Sequence, residues 1–257
     1  MSDLILTSTQ SAVTTITLNS PQTRNALSMD LMGALRDELA AIGEDTSVHA
    51  VVLAAEGPVF SSGHNLKEVR GAELERQQEI FDLCTDLMLT IRRIPQPVIA
   101  RVQGLATAAG AQLATTCDLV VAATSAQFAT PGVKIGLFCS TPGVAIARAL
   151  PTKQAMRMLL TGDPVSAQRA LELGMVSDVV DDDMLQRATD ELATKIAGAS
   201  SATVAIGKEA FYRQLSMPVE DAYREMSDTM AKNAVIADAQ EGIDAFLTKR
   251  EPTWQGR

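Results

Sequence analysis

The stretch Gly104-Leu-Ala-Thr-Ala-Ala-Gly-Ala-Gln112 comes just after an apolar run, Pro97-Val-Ile-Ala-Arg-Val102, and its reading decides the fold. The run reads as a buried strand. A strand feeding a segment dominated by small side chains lets a ligand approach the backbone closely. A helix beginning near Ala109 would aim unpaired N–H groups at that ligand. Such a place suits an oxygen that carries or develops negative charge.

Working outward, strand and helix patterns alternate. Leu4-Ile-Leu-Thr-Ser-Thr9 and Ala12-Val-Thr-Thr-Ile-Thr-Leu-Asn19 have the period of paired strands. Ser28 reads as an N-cap, with Leu31, Leu35, Leu39 and Ile42 on one helical face. Val48-His-Ala-Val-Val-Leu-Ala54 returns as a buried strand, residues 73–94 form a long helical pattern ending before Pro95, and Asp118-Leu-Val-Val-Ala122 is the next strand. This order predicts right-handed βα units, a mostly parallel sheet and an α/β fold class. Beyond Thr141 the pattern is helical, apart from Met175-Val-Ser-Asp-Val-Val180.

The chain has 257 residues, 46% of them hydrophobic, enough for a sizeable core. A formal net charge of −9 argues against a nucleic-acid groove, so any phosphate-bearing ligand must meet a few locally placed cations. No stretch reaches the apolar length of a membrane span, and no membrane partner is expected. Cys84, Cys117 and Cys139 are too scattered for a disulfide framework, and Cys84 and Cys117 read as buried small hydrophobes. With no secretory signal pattern at the start, these features predict a cytoplasmic protein. His49 and His64 lack the companions of a metal site, so no metal is expected.

Upstream lies Phe60-Ser-Ser-Gly-His-Asn-Leu-Lys-Glu68. Together with the 104–112 stretch, with Leu160-Thr-Gly-Asp-Pro-Val-Ser-Ala-Gln168 and with Leu173-Gly-Met-Val176, it resembles the crotonase (enoyl-CoA hydratase/isomerase) superfamily along nearly the whole chain. The segment from Phe128 to Gly143 is similar to a divergent branch of that family. The resemblance implies a crotonase-like ββα spiral core over residues 1–195. It also implies a C-terminal helical region, 196–257, that serves trimerisation or capping in a homotrimer or dimer of trimers. The ligand it implies is an acyl-CoA thioester, with no cofactor beyond the coenzyme A that the substrate carries.

Carried over residue by residue, the family's two oxyanion-hole amides fall on His64 and Ala109. Ser62, Asn65 and Leu66 match positions lining the adenine end of coenzyme A, and Gly110 and Cys139 border the ligand. Arg24, Lys67 and Lys249 are the candidate cations for its phosphates. The His64 ring itself reads as exposed or structural, Asp118 as structural, and Glu68 as solvent-facing or helix-supporting.

The two acid/base positions depart from the family's hydratases. Where the small-residue run ends in a catalytic glutamate this chain has Gln112, and where a second glutamate follows the proline of Ala126-Gln-Phe-Ala-Thr-Pro-Gly132 it has Gly132. A glutamine cannot exchange a proton near neutral pH, and glycine has no side chain. Gly132 therefore leaves room for a bound anion or a substrate group as a substitute base. The expectation is an enoyl-CoA hydratase/isomerase-like enzyme, of the lyase or isomerase class, that stabilises a thioester enolate but hydrates poorly. The alternative is a non-catalytic acyl-CoA binder or regulatory subunit.

Overall fold

The computed structural model describes residues 3–257. The chain opens with an antiparallel hairpin, β1 (Ile5–Gln10) and β2 (Val13–Leu18), in which Thr14, Ile16 and Leu18 face inward. Helix α1 (Met29–Glu44) starts where the Ser28 hydroxyl accepts the Leu31 N–H at 3.2 Å, and it buries Leu31, Leu35, Leu39 and Ile42 as their spacing predicts.

Three circuits of strand, short strand and helix follow. The first runs through β3 (Ala50–Ala55), β4 (Val59–Ser61), α2 (Leu66–Val69) and α3 (Leu74–Arg93). The second has β5 (Val98–Val102), β6 (Leu105–Thr107) and α4 (Ala109–Thr116). The third has β7 (Leu119–Ala123), β8 (Gln127–Ala129) and α5 (Ser140–Ala149). Beyond these lie α6 (Thr152–Thr161), β9 (Val165–Ser166), α7 (Ala167–Glu172) and β10 (Asp178–Val180). The chain ends in α8 (Leu185–Ala197), α9 (Ser201–Gln214), α10 (Val219–Ala234) and α11 (Ala237–Thr248).

Because successive circuits stack, their long strands lie side by side in a six-stranded sheet, β1-β2-β3-β5-β7-β10, parallel from β2 onward. Their short strands make a second, four-stranded sheet, β4-β6-β8-β9. This is the ββα spiral that the resemblance implies. The second sheet is not legible from residue periodicity, because its strands are three residues or fewer. Phe60 and Phe128, the largest fully buried side chains, anchor it from β4 and β8. Truncating a buried phenylalanine to alanine typically costs about 3–5 kcal/mol.

The large sheet is covered on both faces, which explains its near-continuous apolar strands. Val51 and Leu53 belong to the main core, whereas Val52, Ala54, Ile99 and Val121 pack with Leu185 and Ala193 of α8. Residue 195 lies inside α8, so the 195/196 boundary cuts its last turn. Helix α9 is tied to the core by a buried polar knot. Lys208 Nζ lies 2.8 Å from Asp118 Oδ2 and donates to the Ile91 and Gln96 carbonyls, while Tyr212 donates to Asp118 Oδ1 at 2.7 Å. The Arg92 guanidinium stacks over the Tyr212 ring at 4.1 Å. Asp118 also accepts the Val98 N–H, the structural role expected for it.

Farther out, α10 and α11 leave Tyr223, Met230, Val235, Phe246 and Leu247 largely exposed. No helix among the described residues is long and apolar enough to cross a membrane.

Candidate functional site

The site is assembled from the loop after β2, the segment after β4 and the start of α4. Asn25, fully buried at φ +50°, joins the first two. Its Nδ2 donates to the Glu56 and Val59 carbonyls at 2.9 and 2.8 Å, and its Oδ1 accepts the Ser20 N–H at 2.9 Å. Ser61 Oγ donates to the Asn25 carbonyl, and the Ser62 N–H donates to the Arg24 carbonyl at 3.0 Å. Arg24 and Ser62 are thereby held side by side.

Leu27 then forms a parallel bridge with His64. The Leu27 N–H donates to the Gly63 carbonyl and the Asn65 N–H donates to the Leu27 carbonyl. In this pattern the bridge uses the residues on either side of His64, so the His64 N–H points away from Leu27. Glu68 braces the loop. Its Oε2 accepts the Met29 N–H at the start of α1 and its Oε1 accepts Asn65 Nδ2, the helix-supporting role expected of it.

At α4 the backbone turns sharply at Ala108, which has φ +51° and ψ −119°, a conformation that side chains disfavour. The turn is held by the Ala108 N–H donating to the Ala129 carbonyl at 2.8 Å and the Gln112 N–H donating to the Ala108 carbonyl at 3.0 Å. No side chain caps the helix, so the N–H groups of Ala109 and Gly110 have no partner within it. The two loops meet at Gly63, which has φ +86°. A Cβ there would sit 2.9 Å from Ala108 Cβ and 3.2 Å from the Ala109 nitrogen. Gly110 has an equally tight neighbour, since a Cβ on it would collide with the Ser61 carbonyl and lie 2.8 Å from Ser61 Cβ. Only glycine lets α4 start against β4.

Helix α3 roofs this junction. The His64 ring meets Phe81 edge-on, with centroids 5.1 Å apart, and one turn along Cys84 Sγ lies 3.9 Å from Gln112 Oε1. Phe81 and Cys84, three residues apart, share a helix face, so His64 and Gln112 sit under adjacent parts of it. Gln112 is only 5% exposed. Burial pushes the His64 pKa down to about 4, so the ring is neutral at pH 7, and burial raises the Cys84 thiol to about 12. The reading of the ring as exposed or structural is corrected in one respect: Nε2 is enclosed and has no partner.

Gly132, the expected position of the second missing glutamate, does not border open space. Gly132 is buried in a tight turn over Pro131–Ile135, with the Leu137 N–H returning to its carbonyl at 2.9 Å. A Cβ on Gly132 would collide with the Leu137 carbonyl and lie 2.8 Å from Cys139 Sγ. Burial raises the pKa of the Cys139 thiol. The expected room for a substitute base is therefore filled by returning backbone and a thiol.

Among the candidate cations, Arg24 and Lys67 flank Ser62, His64 and Asn65 and have no acidic partner among the described residues. Lys67 and the half-exposed Leu66 open the short helix α2, capped by the Asn65 side chain at 3.2 Å from the Lys67 nitrogen. Lys249 caps the end of α11 in a left-handed conformation and makes no backbone hydrogen bond to these residues among the described residues. Sequence reasoning missed Asn25 and Phe81. An asparagine in the turn-rich loop just ahead of the Ser28 cap is the one local signal available for the first, and nothing in the periodicity marks the second.

Comparison with known proteins agrees with this architecture. Residues 8–257 match the family model described as enoyl-CoA hydratase/isomerase. The chain is 47% identical over 252 residues to the rat "Enoyl-CoA hydratase domain-containing protein 3, mitochondrial", covering 97% of this chain and 84% of that one. The crystal structure of human enoyl coenzyme A hydratase domain-containing protein 3 superimposes with a TM-score of 0.96 at 45% identity, over 98% of this chain and all of that one. An enoyl-CoA hydratase from Mycobacterium smegmatis gives 0.96 at 48% identity, over 98% and 99%. The rat protein's mitochondrial name overturns the cytoplasmic expectation. Three free thiols fit any reducing compartment and could not have carried that expectation. With the ββα spiral, the paired loops and a match over nearly its whole length, the chain belongs to the enoyl-CoA hydratase/isomerase family.

Proposed function

We propose that this protein binds an acyl-CoA thioester with the thioester oxygen between the His64 and Ala109 amides, and that it stabilises the enolate form of the acyl group. The observation that carries the reading is the contact at Gly63, which brings the segment bearing the His64 N–H against the Ala109 nitrogen. Both donors are backbone groups fixed by ladder and helix, so they need no reorganisation when charge develops. Arg24, Ser62, Asn65, Leu66 and Lys67 then hold the coenzyme A portion, and the coenzyme A of the substrate is the only cofactor required. Lys249 joins them from a neighbouring copy in a homotrimer or dimer of trimers. The exposed apolar residues of α10 and α11 favour such association.

The chemistry is of the lyase or isomerase class on a CoA thioester, with ordinary hydration impaired. Gln112 can orient a water without taking its proton, and each absent acid/base contribution is worth about 10²–10⁴-fold. The filled position at Gly132 favours a second reading, a non-catalytic acyl-CoA binder or regulatory subunit.

Acetoacetyl-CoA tests both, because its enolate has its own ultraviolet band. Growth of that band on binding, together with turnover in a screen of trans-2-enoyl-CoA esters, supports the enzyme. Growth of the band without turnover of any ester supports the binder. Absence of binding sinks both readings.

A further inference from the structure

Two enclosed polar side chains beside the amide pair have no hydrogen-bond partner, His64 at Nε2 and Thr107 at Oγ1. Two other enclosed side-chain atoms among the described residues share that condition, Oε1 of Gln77 and of Gln96. In both of those glutamines the amide nitrogen is bonded, to Val69 and Ala72 in one case and to Ile42 and Asp45 in the other. Leaving a buried donor or acceptor unmet is costly. Such groups persist where a water or ligand meets them.

The residues that carry the two orphans flank one close approach of the backbone. Thr107, the last residue of β6, precedes Ala108, and its carbonyl lies 2.9 Å from where a Gly63 Cβ would be, while His64 follows Gly63. The protein around them offers nothing in exchange. The His64 ring packs in a T-shaped pair with the apolar Phe81 ring, and Gln112 Oε1 meets only the weak Cys84 thiol.

We propose that His64 and Thr107 form a station for one hydroxyl oxygen, supplied by a hydroxyl on the acyl chain of a CoA thioester or by the water that reacts with it. The inference rests on the acyl-CoA reading above. A hydroxyl donates one hydrogen bond and accepts two, which complements an imidazole nitrogen together with a threonine hydroxyl. Burial keeps the imidazole uncharged at neutral pH, so the station recognises an alcohol or water rather than an anion. This makes 3-hydroxyacyl and enoyl thioesters the substrate class that the corner can distinguish from saturated acyl groups.

The chain has only two histidines, so ¹⁵N-labelled imidazoles of the full-length protein give two readable sets of nitrogen resonances. His49, whose Nδ1 lies 3.0 Å from the Ala197 carbonyl, is the internal control, and His64→Phe assigns the other set. The probes are 3-hydroxybutyryl-CoA and butyryl-CoA. A shift of the His64 nitrogens with 3-hydroxybutyryl-CoA alone, lost in Thr107→Val, supports the station and assigns the oxygen to the acyl hydroxyl. A shift with both esters that Thr107→Val abolishes supports it and assigns the oxygen to water. In the first case Thr107→Val should also lose about five-fold of the binding preference for the hydroxy ester, the worth of one neutral hydrogen bond.

A shift that survives Thr107→Val overturns the station. So does movement of the Gly63–Asn65 backbone amides with a silent His64 ring, although that leaves acyl-CoA binding intact. If no resonance moves with either ester, the acyl-CoA reading falls and the station with it.

Discussion

Gln112 and Gly132, the two residues that the family resemblance sets at glutamate positions of its hydratases, are both uncharged, and they are so in opposite ways. At Gln112 the shape of the side chain is kept and only its proton chemistry is lost. The residue stays under the α3 roof, 5% exposed, with an oxygen that meets nothing stronger than a thiol. At Gly132 the space itself is gone, because the Leu137 carbonyl and Cys139 Sγ have moved into the volume a side chain would need. One change is reversible by a single substitution and the other is not. A difference of side-chain chemistry leaves the scaffold intact, whereas a difference of packing is built into the backbone.

The largest expected effect tests the reversible side. Gln112→Glu adds a carboxyl of nearly the same volume at a dry position, where burial raises its pKa toward neutrality and makes it a competent acid or base. Loss of enoyl absorbance with trans-2-butenoyl-CoA should then accelerate about 10²-fold over the parent protein. An unchanged rate would mean that one carboxylate is useless without its partner, and that the Gly132 position governs the chemistry.

The next effect probes the dryness of the same roof. The His64 pKa is about 4 in the folded chain, against about 6.5 for a free imidazole. The unfolded chain therefore takes up a proton that the folded one refuses. Above pH 6.5 both states are neutral and His64 contributes no pH dependence. As pH falls from 6.5 to 4, the native state loses up to about 3 kcal/mol relative to the unfolded one. Urea unfolding at pH 7 and pH 4.5 should show a larger loss for the parent than for His64→Phe, which keeps the ring against Phe81. Equal losses would place His64 in contact with solvent.

The sequence revealed these two positions unequally, and the reasons are physical. Long elements announce themselves through period and punctuation, as α1 does from Ser28 and α3 does up to Pro95. The whole second sheet escaped, because β4, β6, β8 and β9 are too short for alternation to register. One of them, β6, lies inside the very stretch that decides the fold. The amides of His64 and Ala109 have no side-chain signature and are legible only through the family resemblance. The absence of a side chain at Gly132 looks like room in a sequence. A returning loop five residues later fills it, and nothing in the intervening residues signals that return.

The irreversible side has its own test, smaller in size. Gly132→Ala places a Cβ against the Leu137 carbonyl and Cys139 Sγ, so the turn over Pro131–Ile135 must open. Overpacking of this kind costs about 1–3 kcal/mol, read as a lower urea midpoint with an unchanged slope. The double variant Gly132→Ala with Cys139→Ala separates the two obstacles. A thiol can be cut away by mutation, but a main-chain carbonyl cannot, so the second substitution should restore less than half of the loss. Full restoration would identify Cys139 as the sole plug. Gly132 would then be as reversible as Gln112, and the contrast between the two positions would disappear.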